Sequence, residues 1–201
     1  MFCGFAKIEL IISKKIKMSN YNDITTIIFD LGGVLVNLDW NKCINLGGVL
    51  VNLDWNKCII GFSEIGIEEM SELLSTTLQR GFILDFEKGL ISEDEFRNQL
   101  RKYSSKTLTD KQIDLAWSSF LVNIPAEKLE LLWQLKQKYK ILMLSNTNSL
   151  SYNFCVNTMF NTNGHTLDDY FDKCYLSYQM HLCKPEADIF EALLKDAGVK
   201  A

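Results

Sequence analysis

The sequence predicts an α/β fold, in which a parallel β-sheet is wound with helices on both faces. Short apolar runs over residues 24–29, 140–145 and 174–177 are typical of strands buried in such a sheet. Helical patterns separate these runs, and strands that alternate with helices generally form a parallel sheet. Between the first two strands the pattern is helical alone, which predicts an all-helical cap above the carboxyl ends of the strands.

The helical pattern between the first two strands begins near residue 55 and ends near residue 138. Capping boxes at residues 92–95 and 109–112 mark two helix starts within it. Pro125 stands at the expected first position of a further helix. The face of that helix predicted to be buried consists of Leu129, Leu132 and Trp133.

The second strand, over residues 140–145, is followed by a predicted helix over residues 149–160. After the third strand, Lys184-Pro185 opens a last helix, which Gly198 ends. The predicted buried face of this last helix consists of Ile189, Phe190, Leu193 and Leu194.

Composition and charge argue against several classes of function. The net charge of −4 leaves no excess of Lys or Arg for binding nucleic acid. The longest uncharged apolar runs, such as residues 115–126, are too short to cross a membrane, which takes about 20 residues. The six cysteines form no C-x-x-C pair, which predicts reduced thiols in a cytoplasmic protein rather than disulfides or a zinc site.

A perfect tandem duplication interrupts the chain after the first strand. Residues 31–44 and residues 46–59 both read LGGVLVNLDWNKCI. The first copy follows an apolar strand and Asp30, whereas the second follows a polar stretch and Asn45. We therefore expect the first copy to leave the strand and the second to continue into the helices.

The polar residues that follow the predicted strands suggest phosphoryl transfer. Asp30, Ser145 and Lys184 fall at or past the carboxyl ends of three strands, which meet at one edge of a parallel sheet. A carboxylate can attack phosphorus and bind Mg²⁺, a hydroxyl can hold phosphoryl oxygens, and an ammonium can neutralise transition-state charge. Each residue alone also has an ordinary interpretation: a helix cap for Asp30, a turn for Ser145, and a solvated side chain for Lys184.

Three segments resemble the first three motifs of the haloacid dehalogenase superfamily. They are residues 27–35 (IIFDLGGVL), residues 141–148 (ILMLSNTN) and residues 183–190 (CKPEADIF). The resemblance covers about residues 24–200 and is strongest for the subgroup with a helical cap between the first two motifs, which includes sugar-phosphate phosphatases.

This resemblance implies a domain organisation. Residues 18–38 and 139–201 would form a Rossmann-like α/β core, and residues 39–138, which contain the duplication, would form the helical cap. Apart from the resemblance, residues 1–17 look like an extraneous N-terminal extension, because Met18 is a plausible start followed by a short polar stretch and then the first strand.

The resemblance also implies a role for each motif residue. Asp30 would be the nucleophile and a Mg²⁺ ligand, and the backbone carbonyl of Gly32 would be a second ligand. Ser145 and the N–H of Asn146 would bind the phosphoryl group, and Lys184 would bridge the nucleophile and the phosphate. Residues 33–37 resemble the flap that opens and closes such a site. The implied activity is Mg²⁺-dependent hydrolysis of a small phosphorylated metabolite through an aspartyl-phosphate intermediate.

The chain departs from the family pattern in three ways. Gly32 stands where phosphatases of this superfamily usually have a second Asp as general acid and base, so protonation of the leaving group has no obvious source. The chain ends at Ala201, before the acidic pair of the fourth motif, so we expect a C-terminally incomplete core and a poor phosphatase. The duplication adds a second flap sequence, in which Asn45 would occupy the position of the nucleophile.

Two rival functions remain open from the sequence. A dehalogenase would use the same aspartate without Mg²⁺, but it normally has a bulkier residue at the position of Gly32. A non-catalytic binding or regulatory remnant of the fold would explain the three departures. The sequence does not identify a substrate; Arg80, Phe82 and Phe86 are candidate cap contacts, although a core or solvated role is favoured for each.

Overall fold

The computed structural model describes residues 25–32, 50–77, 81–162 and 164–199. Its main sheet has three parallel strands: β1 (Thr26–Phe29), β4 (Lys140–Ser145) and β5 (Lys173–Leu176), with β4 in the middle. This confirms the α/β prediction. The third strand lies one residue earlier than predicted, because Ser177 begins a helix instead of ending the strand. The register sets Phe29 beside Met143 and Ser145 beside Leu176, so the three strands end at one edge.

A short antiparallel ribbon accompanies the helices between β1 and β4. It consists of β2 (Asn52–Leu53) and β3 (Leu121–Asn123). The expectation of an all-helical cap is therefore wrong at this point. Strands of two or three residues are too short to show the alternation of apolar and polar residues from which a strand is predicted. The Asn52 side chain donates a 3.0 Å hydrogen bond to that of Asn123 across the ribbon.

The described residues form five helices between β2 and β3. They are α1 (Trp55–Glu64), α2 (Met70–Thr77), α3 (Gly81–Glu87), α4 (Glu93–Arg101) and α5 (Asp110–Ser118). Both predicted capping boxes are present, at the starts of α4 and α5. The buried faces of these helices meet in an aromatic core formed by Phe62, Phe86, Phe96 and Trp117. The division into core and cap at residues 38 and 139 stays a prediction.

Five further helices follow β3. They are α6 (Ala126–Lys136), α7 (Ser149–Cys155), which continues as a π-helical turn (Val156–Phe160), α8 (Leu167–Tyr170), α9 (Ser177–Met180) and α10 (Ala187–Ala197). Gly198 ends α10 in the left-handed conformation, as predicted. Two aromatic residues predicted to be buried are partly exposed: Trp133 on α6 (36%) and Phe190 on α10 (42%). Trp133 instead packs beside the ring of His165, at 4.6 Å.

After Gly32, the described residues resume at Leu50, within the second copy of the duplication. Leu50 and Val51 are buried, and the Val51 N–H donates a 3.0 Å hydrogen bond to the carbonyl of Leu31. Asp54 then caps α1, so the second copy continues into the helices as predicted. Residues 1–17, Met18, the flap residues 33–37 and residues 40–44 lie outside the described residues.

Two further sequence predictions can be compared with the described residues. Their four cysteines, Cys58, Cys155, Cys174 and Cys183, are free thiols that are buried or partly buried. None of the helices described is long and apolar enough to cross a membrane.

Candidate active site

Asp30 and Lys184 form a buried ion pair at the carboxyl edge of the sheet. Asp30 directly follows β1, and the Lys184 Nζ lies 2.8 Å from its Oδ2 atom. Their side chains are only 6% and 7% exposed. The interpretation of Lys184 as a solvated side chain is therefore wrong. The structure also places Ser145 here, because β4, which it ends, lies beside β1 in the same direction.

The Asp30 carboxylate has unused capacity to bind a cation. Both of its oxygen atoms are buried, and the described residues give neither a hydrogen bond of good geometry, although Lys184 is within ion-pair distance. Burial raises the pKa of Asp30 above its ordinary value, and the Lys184 ammonium opposes this shift. Free carboxylate lone pairs next to a backbone turn fit Mg²⁺, which prefers oxygen ligands. Among the described residues, no cluster of three or more His, Cys, Asp or Glu side chains could hold a metal by itself.

Asn146 holds the backbone of Lys184 in place. Its side-chain oxygen accepts a 2.8 Å hydrogen bond from the Lys184 N–H, and its amide nitrogen donates a 2.9 Å hydrogen bond to the Lys184 carbonyl. The ammonium of Lys184 also donates a 3.0 Å hydrogen bond to the Leu144 carbonyl. The loop after β4 therefore fixes Lys184 through both its backbone and its side chain. The side chain of Asn146 has a positioning role that sequence reasoning missed.

The Asn148 side chain and the Thr147 backbone N–H, also in the loop after β4, stabilise the surrounding structure. Asn148 caps α7 by accepting a 3.0 Å hydrogen bond from the Ser151 N–H. The Thr147 N–H donates to the Ser177 hydroxyl at 2.9 Å. By contrast, the buried Ser145 hydroxyl has only a long 3.4 Å contact with the Asn146 carbonyl. The Thr147 hydroxyl likewise has only a 3.5 Å contact with the Asn148 carbonyl, so both hydroxyls of this loop are available to a ligand.

A pocket with two chemically different walls opens at this edge. Its polar wall is formed by Glu87, Ser145, Asn146, Thr147 and Asn148. Its apolar wall is formed by Val51, Leu53, Trp55, Phe120 and Leu121, and the Trp55 and Phe120 rings stack at 4.0 Å. Leu31 and Gly32 also line it, next to Asp30. A small ligand here would have a charged or polar end and a less polar face.

Of the three cap residues suggested from sequence, Arg80 lies outside the described residues, and Phe82 and Phe86 pack on Phe96.

Glu87 is a buried acid in this pocket that sequence reasoning missed. It is the last residue of α3, is 8% exposed, and lies near the charge of Lys184. Burial raises the pKa of Glu87 to about 7, and the Lys184 charge opposes the shift. A sequence signal existed: Glu87 lies one turn after the buried Ile83 and next to the buried Phe86, so helical periodicity places it on the apolar face of α3.

Glu87 is held by the tight packing of the end of α3 against α9. The Ser177 hydroxyl contacts the Glu87 carbonyl at 2.7 Å, and Lys88 forms a 2.6 Å ion pair with Glu186. Gly89, which has φ +65°, lies so close to α9 that a Cβ atom there would stand 2.0 Å from the Tyr178 carbonyl oxygen. A side chain at position 89 would push the two helices apart.

We therefore expect Gly89→Ala to lower the free energy of unfolding by more than about 2 kcal/mol, because the positive φ alone costs about 1–2 kcal/mol. The matched control is Gly198→Ala, whose φ is +67° but whose Cβ would meet nothing within 4 Å. Urea denaturation of the two variants separates the backbone cost from the steric cost. Equal losses in both variants would contradict the close packing of α3 on α9.

Comparison with known proteins places the chain in a family. A family model for haloacid dehalogenase-like hydrolases matches residues 24–201. The chain is 34% identical over 176 residues to a D-ribitol-5-phosphate phosphatase of Bacteroides thetaiotaomicron, a match that covers 88% of this chain and 78% of that protein.

Solved structures agree with this assignment. A HAD family enzyme of Bacteroides thetaiotaomicron, solved with magnesium and inorganic phosphate, is 41% identical, with a TM-score of 0.76 over 88% of this chain and 80% of that one. A predicted HAD-like hydrolase of Porphyromonas gingivalis is 37% identical, with a TM-score of 0.73 over 88% of this chain and 78% of that one. The chain belongs to the haloacid dehalogenase-like hydrolase family.

Proposed function

We propose that the protein is a Mg²⁺-dependent phosphatase that acts on small phosphorylated metabolites of the sugar-phosphate or sugar-alcohol-phosphate class. The observation that carries this proposal is the buried pair of Asp30 and Lys184 beside the available hydroxyl of Ser145. A nucleophilic carboxylate, a fixed cation and a hydroxyl at one sheet edge suit phosphoryl transfer. The relatives support the same class, since one is a D-ribitol-5-phosphate phosphatase and another was solved with magnesium and phosphate.

The reaction would proceed in two displacements at phosphorus. An Asp30 oxygen attacks the phosphorus atom while the bond to the substrate oxygen breaks, which gives an aspartyl phosphate and an alcohol. Water then attacks the same phosphorus atom, and the bond to Asp30 breaks to release inorganic phosphate. Lys184 neutralises charge on the phosphoryl oxygens in both steps, and the Ser145 hydroxyl and the Asn146 N–H bind those oxygens.

Magnesium would be held by the Asp30 carboxylate and the Gly32 backbone carbonyl. When bound, it would neutralise phosphoryl charge and keep Asp30 ionised. The residues present fit this assignment, because no described residue gives the buried Asp30 oxygens a hydrogen bond of good geometry. The polar wall of the pocket would accept the hydroxyl groups of a sugar alcohol, and the Trp55–Phe120 wall would cover its carbon chain.

The proposal is tested with a panel of phosphomonoesters assayed with Mg²⁺ and with excess EDTA. D-Ribitol 5-phosphate, other pentitol and pentose phosphates, and p-nitrophenyl phosphate should release phosphate only with Mg²⁺, and one phosphorylated polyol should be preferred. A 2-haloacid should release no halide, which separates the phosphatase from the dehalogenase. Release of phosphate from none of these substrates would favour a non-catalytic protein instead.

A further inference from the structure

A family member with Gly32 in place of the usual acid needs another proton source. Cleavage of an alkyl phosphate releases an alkoxide, which is a poor leaving group unless an acid protonates it as the bond breaks. Gly32 has no side chain, and Asp30 is occupied as the nucleophile in the proposed function. Ser145 and Lys184 are assigned to the phosphoryl group. A second acid in the same pocket would therefore complete the chemistry.

Glu87 is a second acid in this pocket. It lines the same pocket as Gly32, Ser145 and Thr147, and it enters that pocket from α3 rather than from the sheet. Glu87 thus reaches the pocket from a different element than Ser145, which ends a strand. No described residue gives its carboxylate a hydrogen bond, which leaves the carboxylate oxygens for a ligand in the pocket.

The charges around Glu87 leave it able to exchange a proton. Among the described residues, the charge of Lys184 lowers its pKa, and Glu87 in turn raises the pKa of the Cys183 thiol. The neighbouring Lys88 is paired with Glu186, and Glu93 is engaged by Arg97 and Ser149. Because burial raises its pKa to about 7, Glu87 carries a proton in a substantial fraction of molecules at neutral pH. A general acid works best when its pKa lies near the working pH.

We propose that Glu87 is the general acid and base of the reaction and replaces the aspartate that is absent at position 32. In the first displacement the Glu87 carboxyl gives its proton to the substrate oxygen as the P–O bond breaks, and an alcohol leaves. In the second displacement the Glu87 carboxylate takes a proton from the water that attacks the phosphorus atom. Glu87 is thus returned to its protonated form after each turnover.

This inference rests on the proposed phosphatase function, and leaving-group dependence tests it separately. Glu87→Gln cannot donate a carboxyl proton, but p-nitrophenolate leaves readily without one. We expect kcat/KM for D-ribitol 5-phosphate to fall by about 10²–10⁴-fold, the usual contribution of a general acid or base. For p-nitrophenyl phosphate the first displacement should lose less than about tenfold, measured as the burst of nitrophenol. Asp85→Asn, which removes a carboxylate from the same helix outside the pocket, should match the wild type with both substrates.

The pH dependence provides a readout that a merely structural role would not give. The wild-type rate with the alkyl phosphate should decline above a pH near 7 as Glu87 loses its proton, and Glu87→Gln should lack this decline. Stability should change as well. Since the folded state favours the protonated form, the stability of the wild type relative to Glu87→Gln should fall as the pH rises from 4.5 to about 7.

The outcomes are distinguishable. A wild-type protein inactive on both substrates would refute the proposed function together with this inference. If the wild type is active but Glu87→Gln loses the same activity with both substrates, only the role of Glu87 is overturned. The same holds if the variant loses activity with neither substrate. Equal loss would mean that Glu87 merely positions Lys184.

Discussion

Asp30→Asn is expected to abolish phosphomonoester hydrolysis, with a fall in kcat of roughly 10⁴-fold or more, as is usual when the nucleophile of a covalent mechanism is removed. An amide of the same size cannot attack phosphorus, and so no aspartyl phosphate can form. Initial rates with D-ribitol 5-phosphate and p-nitrophenyl phosphate at saturating Mg²⁺ measure the effect. Hydrolysis of p-nitrophenyl phosphate should be lost in Asp30→Asn. In Glu87→Gln the first displacement of this substrate should be largely retained, because p-nitrophenolate is a good leaving group.

The effect of Asp30→Asn on stability must be separated from its effect on activity. The substitution would leave the Lys184 ammonium without its counter-charge in a site where both side chains are at most 7% exposed. Breaking a buried ion pair costs up to about 3–5 kcal/mol, although the hydrogen bond from Lys184 to the Leu144 carbonyl can remain. Asp54→Asn is the matched control, since an asparagine also caps helices well and should leave α1 and the activity unchanged. Retention of a tenth of the wild-type rate by a folded Asp30→Asn protein would rule out the nucleophile assignment.

The convergence of Asp30, Ser145 and Lys184 could be predicted because two local patterns were sufficient. Apolar runs identify the strands, and parallel strands bring their carboxyl ends to one edge. Lys184 is the hardest of the three to place from sequence, because it lies eight positions beyond the end of β5 and a short helix intervenes. Its placement depends on the two hydrogen bonds between its backbone and the Asn146 side chain, which no local sequence pattern predicts.

Glu87 and the β2–β3 ribbon could not be predicted in the same way. The ribbon pairs residues far apart in the chain through strands too short to show a period. Glu87 reaches the pocket because Gly89 lets α3 approach α9 closely, which is a tertiary contact. A carboxylate on an apolar helix face was visible, but such a residue can also be explained by an ion pair. Only its position beside Ser145 and Lys184 distinguishes the two explanations.

The duplication raises the question of which copy forms each part of the structure. The first copy supplies Leu31 and Gly32, directly after Asp30. The second supplies Leu50 and Val51, and the Val51 N–H bonds to the Leu31 carbonyl at 3.0 Å. Leu53 of the second copy also lies against Gly32, 3.6 Å from the position that a Cβ atom would take. We infer that the folded protein joins the start of the first copy to the end of the second.

Matched substitutions in the two copies test this inference, because the local sequences are the same. Val51 is fully buried, so Val51→Asp would place a carboxylate in the core and should cost at least about 3 kcal/mol. For a domain of this size that corresponds to a fall in melting temperature of roughly 6–12 °C. Val36→Asp makes the same chemical change in the first copy, and the inference predicts a smaller shift in melting temperature for it than for Val51→Asp. Equal shifts, or a larger shift for Val36→Asp, would contradict the inference.

Deleting residues 33–47 provides the complementary test. The deletion joins Gly32 to Gly48 and restores a single uninterrupted copy, while every described residue is kept. The deletion shortens the connection between Gly32 and Leu50 by about three halvings of its length. Each halving lowers the entropic cost of closing the connection by about 0.6 kcal/mol. We therefore expect the free energy of unfolding to rise by about 1–2 kcal/mol and the melting temperature by roughly 2–8 °C. If both copies were needed for the core, the shortened protein would instead be destabilised, and scanning calorimetry of the two chains at equal concentration would show a lower melting temperature.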